Sequence, residues 1–307
     1  MPAKKVYPNL FTLKALEKRF PTEESCHAFV AQERWGGNPV CVHCGCDRKI
    51  YELNGGKLFK CADCKKKFSV RIGTIFEDSP VPLQKWFHAM FVITAHKKGI
   101  SSVQLGKDLD LTQKSAWFML HRIRYAMSTK EFHKPLDGIV EADETYIGGK
   151  RKGGKRGRGS ENKTPVFGML DRDDKTVKTQ PVKYVNANTL QGIIKANVAP
   201  ESTIMTDEWG AYNGLDKSFA SHQRVNHSEQ EYARGEVHVN GMENFWSLLK
   251  RGIVGIYHQV TGKHLHRYCG EFDYRYNSRD EKDCGRFTST FGNIEGRLTY
   301  KQLIKAA

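Results

Sequence analysis

The chain has 307 residues, 39% of them hydrophobic, which is enough to bury a real core and excludes global disorder. Lys and Arg outnumber Asp and Glu by 49 to 34, for a net charge of +15, a balance that favours a polyanionic partner. No apolar run approaches the roughly 18 residues that suggest a membrane span, and Met1–Leu10 lacks the apolar core of a secretory signal. A cytoplasmic location is therefore expected, where the eight cysteines stay reduced and serve metals rather than disulfides.

Residues 1–34 read as a helical lead-in: Leu13, Leu16 and Phe20 have helical spacing, and Pro21-Thr22-Glu23-Glu24 opens a further helix. Residues 35–75 form the next unit. Cys41-Val-His-Cys44 is followed after sixteen residues by Cys61-Ala-Asp-Cys64, a spacing in which two tight turns aim four thiolates at one tetrahedral zinc ion. Lys49–Leu53 and Leu58–Lys60 read as strands, with Asn54-Gly55-Gly56 as the hairpin turn. Four cysteines leave no open coordination position, so the zinc is expected to be structural, with Cys46 a spare thiol. Arg48, Lys49, Lys60 and Lys65–Lys67 around it suit phosphate contact or a solvated face.

Residues 80–130 read as three helices. The first begins at Pro82 and buries Leu83, Trp86, Phe87, Met90 and Phe91. Ser101 caps the second and Thr112 the third, which turns Ala116, Leu120 and Ile123 inward; the last two helices make a helix-turn-helix pattern. The third helix is expected to expose Lys114, Arg122 and Arg124 to DNA, with simple structural packing as the alternative.

Residues 135–300 alternate strands and helices, which indicates an α/β or α+β domain. Alternation along Ile139–Ile147 puts Glu141, Asp143 and Thr145 on one side, and a carboxylate in so apolar a strand is costly unless paired or metal-bound. Residues 148–163 carry Lys150, Arg151, Lys152, Lys155, Arg156 and Arg158 among glycines, an exposed loop able to wrap a DNA backbone. Val166–Leu170 and Thr176–Val182 continue as a meander, a helix follows near Thr189–Ala196, and Ser202–Thr206 is a strand with Asp207 at its end. In the helix Gly241–Arg251, Glu243 and Lys250 share a face two turns apart, while Phe245, Leu248 and Leu249 form a stripe that can pack on the sheet. Asp143, Asp207 and Glu243 together make a hard oxygen set suited to magnesium, although each alone also fits a cap or a surface charge. Leu265, Tyr268, Cys269 and Phe272 read as core, and Cys284 as a buried thiol.

At these residues the chain resembles a known family. The Cys41–Cys64 quartet, Glu141-Ala-Asp-Glu-Thr-Tyr-Ile-Gly-Gly149, Thr206-Asp-Glu-Trp-Gly-Ala-Tyr212, His238–Arg251, Gly255-Ile-Tyr-His258 and Tyr274–Arg279 occur in the same order as in the zinc-ribbon insertion-sequence transposases related to the Merlin DNA transposons. The resemblance implies an RNase H-like catalytic fold and a DDE triad of Asp143, Asp207 and Glu243 on magnesium or manganese, with Lys250 as the basic residue that follows. It implies cutting and joining at terminal inverted repeats by a homodimer or larger synaptic complex at the nucleoid. A DNA-binding regulator with an inactive RNase H-like domain and a nuclease without strand transfer are the alternative readings.

Overall fold

The computed structural model describes residues 12–128, 134–148, 163–225 and 234–305, which divide into two compact units, 1–129 with 280–307, and 130–279. The basic residues Lys150, Arg151, Lys152, Lys155, Arg156 and Arg158 lie outside the described residues.

In the first unit, α1 (Leu13–Arg19) and α2 (Glu23–Trp35) start at Thr12 and Thr22, whose hydroxyls accept N–H bonds from the first turns. The ribbon strands β1 (Ile50–Leu53), β2 (Leu58–Cys61) and β3 (Lys67–Phe68) form an antiparallel sheet in that order. Asn54, Gly55 and Gly56 all take positive φ in the β1–β2 turn, as the Asn-Gly-Gly sequence anticipates. α3 (Leu83–Ala95), α4 (Ser102–Asp108) and α5 (Gln113–Ser128) follow, with Ser101 and Thr112 accepting the capping bonds expected of them. Two helices complete the unit, α9 (Asp283–Phe291) and α10 (Tyr300–Ile304).

Those last two helices correct the expected 135–300 domain, because the second unit ends at 279. Phe287 and Phe291 pack, mostly edge-on, into the aromatic core of Phe20, Phe29 and Phe87, with ring centroids 4.9 to 6.4 Å apart. Aromatic payload of that size decides which core a terminal segment joins. Lead-in, ribbon and helical trio, read from the sequence as three modules, likewise cluster as one unit.

The second unit is a five-stranded mixed sheet ordered β6-β5-β4-β7-β8. β4 (Ile139–Ile147), β5 (Thr164–Asp171) and β6 (Thr176–Pro181) make an antiparallel meander, while β7 (Thr203–Thr206) and β8 (Ser221–Arg224) run parallel to β4. This is the RNase H-like arrangement. α6 (Ala187–Asn197) packs Leu190 and Ile194 with Val140, Ala142 and Phe167 on one sheet face. α7 (Asn240–Gly252) and α8 (Gly262–Asn277) cover the other with Met242, Phe245, Trp246, Leu249, Leu265 and Phe272, against Ile147, Val166 and Leu170. Leu248, expected in the packed stripe, is 41% exposed; Trp246 takes that place.

Candidate active site

The four ribbon cysteines are the sulfur cluster of the described residues. Cys41 Sγ lies 3.6 Å from Cys64 Sγ and Cys44 Sγ lies 3.7 Å from Cys61 Sγ, and all four fall within 4.8 Å of one another. A tetrahedron with bonds of about 2.3 Å has edges of about 3.8 Å, so the cage fits a zinc ion. The two knuckles match each other: the residue after the second cysteine, Gly45 in one and Lys65 in the other, has positive φ. His43 Nε2 meets the Lys67 carbonyl at 3.2 Å, and Cys46 stays out of the cluster.

On α5 the outcome is divided. Lys114 is exposed, with its ammonium 5.0 Å from the Tyr300 ring centroid. Arg122 and Arg124, expected on a DNA-facing surface, are instead 4% and 1% exposed. Arg122 donates to the carbonyls of Leu298 (3.0 Å), Ile75 (2.9 Å) and Glu77 (2.7 Å), pinning two other segments of its unit to α5. The carboxy-terminal segment 294–298 therefore occupies the surface that the helical wheel left open.

In the second unit the alternation of β4 is as read. Val140 and Ala142 face α6, and Glu144 on that same side accepts a 2.7 Å bond from Tyr212 Oη. Glu141 and Asp143 face α7. The parallel register pairs Ile139, Val140 and Glu141 with Thr203, Ile204 and Met205. Asp207 follows Thr206, the last residue of β7, near enough to Asp143 for its charge to act on that carboxyl. Asp207 Oδ1 accepts the Trp209 N–H at 2.9 Å, which shapes the turn after β7. Burial, then the charges of Glu144 and Asp207, push the Asp143 carboxyl up to about 7.

α7 carries Glu243. Trp246 Nε1 donates to Asp143 Oδ2 at 2.9 Å, and Glu243 sits one turn earlier on α7, exposed, as is Lys250 two turns on. The oxygens of Asp143, Asp207 and Glu243 do not all lie within 4.8 Å of one another. The indole reaches Asp143 because Gly168 is the cross-strand partner of that aspartate. A Cβ at 168 would stand 2.6 Å from the ring of Trp246 and 2.4 Å from Met242 Cε. Glu141, 1% exposed, accepts Arg172 Nε at 2.7 Å and the Met242 N–H at 2.8 Å. Trp246, Gly168 and Arg172 were not singled out from the sequence; Trp246 falls on the apolar side of α7 with Met242, Phe245 and Leu249, and nothing in the local pattern sets it apart.

A second acidic group, Asp137, Asp171 and Asp174, lies at the other end of β4. Asp171 accepts N–H bonds from Asp137, Asp173 and Asp174, and Lys134 bridges Asp137 and Asp174 at 3.3 and 3.2 Å. These contacts make it the tie of the β5–β6 turn.

Residues 135–277 match the family model for the ISXO2-like transposase domain, and residues 21–67 match that for the transposase zinc-ribbon domain. The chain is 31% identical over 252 residues to an uncharacterized protein in transposable element ISH50 of Halobacterium salinarum, covering 76% of this chain and 84% of that one. It is 35% identical over 106 residues to an uncharacterized transposase-like protein of Haemophilus influenzae, covering 34% of this chain and 85% of the other. Among solved structures, the HTLV-2 integrase catalytic core domain in complex with magnesium matches at 14% identity and a TM-score of 0.25, covering 41% of this chain and 76% of that one. No helix among the described residues is long and apolar enough to cross a membrane.

Proposed function

This chain belongs to the ISXO2-like transposases that carry a zinc ribbon, and we propose that it binds the terminal inverted repeats of its element, cleaves DNA strands there and joins the 3′-hydroxyl ends to target DNA. The observation that carries this reading is Asp143 on β4 within reach of the charge of Asp207, the residue that follows the neighbouring parallel strand β7, beneath a helix that carries Glu243 and is bonded to Asp143 through Trp246.

Asp143, Asp207 and Glu243 would hold magnesium or manganese. The donor set fits: hard oxygens, with the Asp143 carboxyl raised to about 7 by burial and by the charges of Glu144 and Asp207, an arrangement that a divalent cation relieves. Their spread beyond 4.8 Å suits a pair of ions about 4 Å apart better than one. Such ions supply Lewis-acid stabilisation of the phosphorane-like charge and lower the pKa of the attacking hydroxyl. The carboxylates fix where the scissile phosphate sits, and Lys250, two turns from Glu243, neutralises a non-bridging oxygen. In cleavage, a water oxygen bonds to phosphorus and the bond to the 3′ oxygen breaks, leaving a 3′-hydroxyl. In joining, that hydroxyl attacks a target phosphorus and displaces the target's own 3′ oxygen. Cys41, Cys44, Cys61 and Cys64 would hold a structural zinc. Lys114 and the 150–158 basic residues contact phosphates, two ends are held by a homodimer or larger complex, and the protein acts in the cytoplasm at the nucleoid.

The test is magnesium-dependent nicking and strand transfer on terminal-repeat DNA. Wild type should give joined products, and Asp143→Ala should give none while retaining DNA binding. Equal activity of the two would refute the reading.

A further inference from the structure

We infer that Glu141 is a positioning residue that sets α7, and with it Glu243, against the strand bearing Asp143; the inference rests on the metal-site reading above. α7 begins without a side-chain cap of its own, its N-cap being Val239. Its first turn therefore needs an outside acceptor. Glu141 supplies one from β4: Oε2 accepts the Met242 N–H at 2.8 Å, and a carboxylate at that end also meets the positive pole of the helix. The other oxygen accepts Arg172 Nε at 2.7 Å and lies 3.4 Å from His238 Nδ1. Arg172 also donates to the carbonyls of Glu236 and His238, both at 2.7 Å, so the segment leading into α7 is tied to the same carboxylate.

The second tie is the Trp246–Asp143 bond. Residues 141 and 143 are two apart on a strand, about 6.6 Å, and residues 242 and 246 are four apart on a helix, about 6 Å. Two bonds at matching intervals fix both the height and the rotation of α7, and Glu243 lies between them. Gly241 is part of the device. A Cβ there would stand 2.9 Å and 3.1 Å from the two Glu141 oxygens, so any side chain drives the carboxylate from the helix terminus.

The experiment is a manganese titration followed by electron paramagnetic resonance on the full chain, with hydrogen exchange at the Met242 and Glu243 amides. Gly241→Ala retains the charge of Glu141 but displaces it; Glu141→Gln retains its shape but breaks the ion pair with Arg172. Both should weaken manganese binding about tenfold, the lower range for residues that orient metal ligands, and speed exchange in the first turn of α7. Asp273→Asn is the control. It replaces one of the two oxygens that accept from Thr179 N–H and Oγ1, at 2.9 and 2.7 Å, by an NH2 that cannot accept, and should lower the melting temperature without moving manganese affinity. Wild-type binding in Gly241→Ala overturns the inference, and so does an equal loss in Asp273→Asn. A loss confined to Glu141→Gln reduces the effect to charge and overturns it too. Asp143→Asn separates the two readings: if it also binds manganese as wild type does, the metal site itself is misassigned, whereas its loss beside a silent Gly241→Ala refutes only the positioning.

Discussion

Replacing Asp143 by Asn should stabilise the 130–279 unit above neutral pH when no divalent cation is present. In the folded chain, burial, Glu144 and Asp207 push this carboxyl up from 3.8 to about 7. A raised carboxyl affinity for protons means that folding is penalised wherever the group must ionise. The penalty is absent below about pH 4, grows through the interval between the two values and is complete above about 7. At about 1.4 kcal/mol per tenfold change in proton affinity, the ceiling is about 4 kcal/mol. Asp143 is partly exposed, so solvent screening brings the expected gain to about 2 kcal/mol. For a unit of about 150 residues this corresponds to a rise of roughly 4–8 °C in melting temperature. The assay is calorimetry from pH 4 to 8.5 in magnesium-depleted buffer with ribbon zinc retained, hydrogen exchange in α7 assigning the transition. The wild-type curve should fall toward pH 8, the Asn curve should stay level, and the two should meet near pH 4. Magnesium should raise the wild-type melt and leave the variant unmoved. Parallel curves, or an Asn variant no more stable than wild type at pH 8, would refute the crowded-carboxylate account.

Other expectations follow from the first unit. Zinc should bind at one ion per chain by atomic absorption, be lost in Cys61→Ser and persist in Cys46→Ser, since Cys46 stands outside the sulfur cage. Arg122→Ala should cost about 3 kcal/mol in thermal unfolding, because two buried carbonyls and a half-buried one lose their donor. Lys114→Ala should leave the melt unchanged while weakening DNA binding and reducing its salt slope by about 1. Burial alone would raise Glu23, but His27, the N–H groups of Leu83 and Gln84, and Arg71 hold it at about 2. The stability it contributes is present above the unfolded value near 4.3 and lost as pH falls toward 2. Glu23→Gln should cost about 1–2 kcal/mol at pH 7, and the gap from wild type should close between pH 4.5 and 2 in acid titration.

The ribbon was legible because cysteine spacing encodes a metal cage directly, and the hairpin because Asn54-Gly55-Gly56 admits the positive φ found there. The helical trio was legible in its caps and inward residues and misleading on its outer face. A helical wheel tells which side is polar, not whether a segment from 170 residues later covers it. Arg122 falls on the outer face of the wheel, opposite Ala116, Leu120 and Ile123, yet its planar fork suits three carbonyls at once, one of them Leu298 in a segment that the sequence places in the other domain.

The sheet of the second unit divides differently. Asp143 could be marked in advance because a carboxylate in an apolar strand is energetically conspicuous and the period of two fixes its face, and Asp207 because it closes a strand, where functional groups gather in open sheets. The contacts around them could not, since a glycine carries no sign of what approaches it. Gly168 and Gly241 acquire meaning only opposite Trp246 and Glu141, where a single methyl group would displace an indole or a carboxylate. Asp143→Asn and Gly168→Ala thus interrogate different terms. The first removes charge and retains the acceptor for Trp246, so α7 stays seated. The second retains every charge and drives the indole, at 2.6 Å from the added carbon, away from the sheet. Gly168→Ala should therefore cost about 2–3 kcal/mol by overpacking and lose the Trp246–Asp143 bond, seen as accelerated exchange of the indole N–H. An alanine variant with wild-type stability and a protected indole would mean that the close approach of α7 to β5 does not depend on the missing side chain.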